Sequence, residues 1–151
     1  MHSLLLFFTL FFNSPHSLQQ LRELFPLIGL SESSNKKMME LTENNSQLNI
    51  PIKKAYLASA KMASAKFKTF PLAKYQAFLE GKNLLEESVA LDKQNPEIRF
   101  VRFVIQSNLP SFLFYSQNIS EDKAFITKSL PVLKTTDPDL HQRIVNYFGK
   151  K

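Results

Sequence analysis

Arg99, Arg102 and Gln106 recur at spacings of three and four within an otherwise apolar run, Ile98 to Leu109. On an α-helix that spacing puts all three on one narrow stripe. A guanidinium fork suits carboxylate or phosphate, so Arg99 and Arg102 are candidate anion-binding residues. The competing role is structural, because a desolvated arginine needs a partner. Glu86, Glu87, Glu121 and Asp122 lie on the flanking segments and can supply one. The structural role is the expectation adopted.

A second constellation is cationic. Lys53, Lys54, Lys61, Lys66, Lys68, Lys74 and Lys82 face a single acid, Glu80, and this block accounts for the net charge of +6. Lys53, Lys54, Lys61, Lys66 and Lys74 form a candidate basic surface for anionic headgroups or polysaccharide. A solvated helix face is the ordinary account of such a block. Lysines without interleaved arginine and aromatics are poor readers of nucleic acid, and no nucleic-acid partner is expected.

Catalytic signatures are missing. His141 stands near Asp137 and Asp139, but no ligand cluster has metal-site spacing. No Gly-x-Ser-x-Gly elbow exposes a serine, and three glycines form no phosphate-cradling loop. Glu86 and Glu87 are adjacent on a helix and point apart, so they form no acid dyad. The absence of cysteine excludes disulfides, thiolate nucleophiles and Cys-ligated metals. No catalytic residue, cofactor or metal site is assigned.

The elements that position these residues are helical. Patterns with i, i+3, i+4 spacing recur, and period-two alternation is absent. Helices are expected over Leu18–Leu30 (interrupted near Pro26), Lys36–Glu43, Pro51–Lys66, Leu72–Leu91, Pro96–Leu109, Ser120–Leu130 and Pro138–Phe148. Ser31–Asn35 reads as a loop. Proline in the first turn marks several starts, and Asn95 and Ser120 are the expected caps. Leu72, Tyr75, Phe78, Leu85 and Val89 make the inward stripe of one helix. Ile98–Leu109 is apolar on most sides and should be the core helix, with Phe100, Phe103 and Val104 buried beside Leu85. Gly81 marks a close helix contact. The fold class is all-α, one compact domain of about six or seven helices in antiparallel hairpins.

Residues 1–17 are expected to be a signal peptide, followed by one α-helical domain over 18–151. Leu4–Phe12 is apolar apart from Thr9, and Asn13–Ser17 is polar. That run falls short of the roughly 20 apolar residues that cross a bilayer and matches the about 7–15 of a signal core. The processed chain should therefore carry no transmembrane segment and be exported.

Gly81, Leu85 and Ser88 fall on the small, large and small positions of a tetratricopeptide second helix, so Gly81–Lys93 resembles that motif. Lys93 stands where the motif usually has proline, and no second copy follows at about 34 residues, so no superhelical array is expected. Over the leader, Ala55–Ala65, LLEESVALDKQNPEIRFVRF and Ser120–Lys123, the chain looks like small exported α-helical proteins of Bacteroidetes-type bacteria. The resemblance implies an envelope or periplasmic location and no particular activity. The expected function is a non-catalytic module that holds a protein or peptide in a helical groove. The alternative is a binder of an anionic small molecule or membrane surface through Arg99/Arg102 or the lysine hairpin.

Overall fold

The computed structural model describes residues 16–46 and 48–150. The expected signal peptide lies outside the described residues, except His16 and Ser17, which open the first helix. Among the described residues, seven α-helices follow one another: α1 His16–Leu24, α2 Glu32–Glu43, α3 Ile50–Ser64, α4 Pro71–Leu91, α5 Pro96–Asn108, α6 Ile119–Thr136 and α7 Pro138–Gly149. Short 3-10 turns over Phe25–Leu27, Ala65–Phe67 and Ser111–Leu113 make the corners. The all-α, single-domain expectation is met.

Local chemistry explains most boundaries. The Asn49 side chain accepts from the Ile52 N–H, Asn95 accepts from the N–H groups of Glu97 and Ile98, and Asp137 accepts from the Leu140 N–H. Each then precedes a helix with proline in its first turn, where the missing N–H costs nothing.

Three boundaries differ clearly from expectation. Helix α1 ends at Leu24, not Leu30: Pro26 lacks an N–H, and the chain leaves the helix through the 3-10 turn Phe25–Leu27. Helix α2 begins at Glu32, not Lys36, because the Ser31 hydroxyl accepts from the Ser34 N–H at 3.3 Å. Buried Asn35 then ties that first turn to α3 by donating to the Ala60 carbonyl at 2.8 Å. Helix α6 runs past Leu130 to Thr136, through Pro131. Thr127 and Pro131 are both exposed, so water can serve the carbonyl that the proline leaves unpartnered. Buried Leu133 holds the following turn in the core. Ser120 does not cap α6. Asn118 occupies that position, and its side chain and N–H bond Gln106 at 3.1 Å each.

Helix α5 stands between two apolar clusters. Ile98 and Val101 join the one built from α1 to α4, while Phe100 and Phe103 join Ile126, Leu133, Leu140 and Ile144 of α6 and α7. Phe100, Phe103 and Leu85 are buried as expected; Val104 is only partly covered. The α3–α4 contact is closest at Gly81. A Cβ there would stand 2.5 Å from Met62 Cγ and 2.7 Å from the Ala58 carbonyl oxygen. Small residues on both helices therefore set their separation. The α4 stripe holds at Phe78, Leu85 and Val89, but Leu72 and Tyr75 are exposed.

Candidate functional site

The arginine stripe lies where α5 meets α6. It runs between the two apolar faces of α5, so Arg99 and Arg102 are buried yet reach the helix joints. Arg102 grips Asp122 with two parallel hydrogen bonds, Nε to Oδ2 at 2.7 Å and Nη2 to Oδ1 at 2.8 Å. Its Nη1 donates to Glu86 at 2.9 Å. Arg99 donates to Asp122 at 2.7 Å, to Glu121 at 2.9 Å and to the Lys93 carbonyl at 3.0 Å, and it packs over the Phe125 ring.

Asp122 is fully buried and accepts from both arginines. The Arg99 guanidinium holds exposed Glu121 below the usual carboxylate range, mainly through its hydrogen bond. Burial alone lowers the Arg102 pKa, but the bond and charge of Asp122 more than offset it. Burial, followed by the bond to Glu86, pushes the Tyr115 phenol up. Two cations thus face three carboxylates. All three nitrogens of Arg102 and two of the three of Arg99 are bonded internally, and a further anion would meet net repulsion. This geometry supports the structural role of Arg99 and Arg102. Glu87 serves neither of them and pairs with Lys54 at 2.7 Å.

Sequence reasoning missed a second knot. Arg22 of α1 is buried and donates to Glu97 at 2.7 and 2.8 Å, and it also bonds Asp137 and Asp139. Buried Glu97 accepts from the Tyr56 hydroxyl at 2.7 Å. Burial first, then the Glu97 charge, raises the Tyr56 phenol well above its ordinary value. Arg143 ties the assembly by donating to the Arg22 carbonyl and to Asp139. The knot locks α1, α3, the start of α5 and the start of α7.

Beside it opens a cavity of about 920 Å³, at the upper end of the roughly 300–1,000 Å³ typical of small-molecule sites. Phe25, Met62, Ala63, Tyr75, Phe78, Phe100, Val104, Leu109 and Tyr147 supply apolar walls from the turn after α1 and from α3, α4, α5 and α7. Its charged lining residues are Arg22, Lys66, Lys74, Arg143 and Lys150, with no Asp or Glu among them. Arg22 and Arg143 are neutralised by the knot. Among the described residues, Lys66, Lys74 and Lys150 have no carboxylate partner.

The lysine block therefore splits by position. Lys54 pairs with Glu87 and Lys61 with Glu80, Lys53 donates to the Asn45 carbonyl, and Lys82 stands over the Tyr115 ring. Lys74 and Lys66, which also donates to the Gly29 carbonyl at 3.3 Å, line the cavity. His141 is half-buried on α7, outside the cavity lining, and no group of three metal-ligating side chains converges among the described residues. No family model matches the chain, and no curated protein or solved structure shows significant similarity to it.

Proposed function

We propose that the protein is a non-catalytic binding module that holds an amphipathic anion, such as a long-chain carboxylate, in this cavity. The observation that carries the reading is the lining itself: apolar walls edged by Lys66, Lys74 and Lys150, with no Asp or Glu in it among the described residues. Apolar walls favour a hydrocarbon body through burial. Lys74, Lys150 and Lys66, whose ammonium keeps donors to spare beside its 3.3 Å bond to the Gly29 carbonyl, favour a negative head. The apolar Leu4–Phe12 segment supports an exported, envelope location for this role.

A protein or peptide segment is the second reading. It is supported by the extent of the lining, which runs from the end of α1 across α3 and α5 to α7.

Calorimetric titration with dodecanoate and dodecanol tests the proposal, because the two share one chain and differ in charge. The carboxylate should bind about tenfold tighter or better, the value of a charge-assisted hydrogen bond. Ala63→Phe, which projects a ring into the cavity from α3, should weaken both. Equal affinity would remove the anion preference. If neither compound binds, the cavity is not a site for single-chain amphiphiles.

A further inference from the structure

The rim of the cavity carries a feature that ligand binding inside it does not explain. Phe70 and Leu72, at the start of α4, are 73% and 68% exposed. Tyr75 on the next turn and Phe112 in the α5–α6 connection line the cavity and are also exposed. Phe114, two residues on, is 79% exposed and holds a left-handed backbone (φ 48°) that a bulky side chain disfavours.

These residues share one region. The Tyr75 ring meets Phe78, and Phe78 meets Tyr115, the neighbour of Phe114, with centroids 6.3 and 6.2 Å apart. Scattered exposed apolar residues need no explanation, but a group around one opening marks a contact surface.

Charge selects the partner. Lys66, Lys68 and Lys74 are exposed on the same corner, and the sequence has no acid between Glu43 and Glu80 or between Glu97 and Glu121. The two segments that build the rim, Phe67–Tyr75 and Leu109–Tyr115, therefore present aromatic and lysine side chains without a carboxylate. No described helix is long and apolar enough to cross a membrane.

We infer that this rim docks on an anionic lipid bilayer, with Phe70, Leu72, Phe112 and Phe114 entering the headgroup region and Lys66, Lys68 and Lys74 meeting lipid phosphates. Amphipathic surfaces bind membranes through that pairing of buried apolar area and electrostatic attraction. Docking places the cavity mouth against the bilayer. The inference goes beyond the identity of the cavity's ligand and is tested without it.

Co-sedimentation with vesicles of phosphatidylglycerol and phosphatidylcholine, against phosphatidylcholine alone, measures the contact. The mixed vesicles should retain the protein, and pure phosphatidylcholine should not. Lys66→Gln/Lys68→Gln/Lys74→Gln should lower partitioning roughly a hundredfold, given the attraction per lysine near such a surface. Phe70→Ser/Leu72→Ser/Phe114→Ser should also release the protein. It changes no cavity-lining residue, and its circular dichroism spectrum and urea midpoint report on folding without any ligand. Equal partitioning to both vesicle types, no binding to either, or wild-type binding by a correctly folded serine variant would overturn the inference.

Discussion

Arg102 and Asp122 form a two-pronged pair across the α5–α6 joint, with Nε–Oδ2 at 2.7 Å and Nη2–Oδ1 at 2.8 Å, both residues buried. Asp122 also receives Arg99, so one carboxylate anchors two turns of the central helix. Removing it leaves two buried cations short of a partner. Asp122→Ala should cost about 3–5 kcal/mol. Glu121→Ala removes only an exposed partner of Arg99 and should cost less than about 1 kcal/mol. Urea unfolding of both variants checks the contrast, and equal losses would mean that burial does not govern this cluster.

Arg22 and Glu97 make the corresponding bond in the first turn of α5, between residues 75 apart in sequence. Arg22→Met keeps much of the side chain's apolar bulk and strands the Glu97 carboxylate beside Tyr56. A loss of about 3–5 kcal/mol is expected. Adding Glu97→Gln to that variant should restore part of the loss, because the buried charge goes with it. Denaturant midpoints of the single and double variants decide the matter; additive losses would contradict the coupling.

Gly81→Ala tests the α3–α4 contact. Alanine is the better helix former by roughly 1 kcal/mol, so an open position would gain stability. Here the added methyl would stand 2.7 Å from the Ala58 carbonyl and 2.9 Å from the Met62 nitrogen, both backbone atoms. Overpacking of about 1–3 kcal/mol should win. A raised melting temperature would show that the two helices can separate freely.

Alkaline pH should weaken the fold. Burial and the neighbouring Glu97 and Glu86 charges raise the Tyr56 and Tyr115 phenols above their ordinary value of 10.0. A raised folded-state pKa means that the folded chain holds its proton more tightly than the unfolded chain. The contribution is therefore complete below the ordinary value and is lost as pH rises above it. Tyr56→Phe and Tyr115→Phe should each flatten the alkaline fall in stability. An unchanged slope in both variants would exclude these phenols as its cause.

The joints of this fold are legible in the sequence because they are local. Asn95-Pro96 and Asp137-Pro138 state their caps within three residues. The arginine stripe is legible for the same reason, since polar spacing inside an apolar helix already implies carboxylates on adjoining helices. Arg22 is different. It sits in a polar-rich first helix, and its partner Glu97 reads as an ordinary first-turn acid until α1 folds against α5.

The first turn of α2, Glu32–Asn35, has no apolar periodicity, so only the Ser31 cap announces it. The cavity is assembled from five separate stretches of chain and has no sequence signature. What the sequence does carry is the acid-free run from Asn44 to Leu79. Which lysines of that run stay unpaired is decided by the approach of Glu80 and Glu87 along α4.

The most direct test of the account is a two-dimensional amide NMR titration of the folded protein with dodecanoate. Saturable shifts are expected at Ala63, Tyr75, Phe78, Val104 and Leu109, which border the cavity, and at Lys66 and Lys74 on its rim. Arg99, Arg102 and Asp122 should stay unperturbed, because their charges are already matched. Shifts centred on Arg99 and Arg102, or no saturable shift at the cavity, would contradict it.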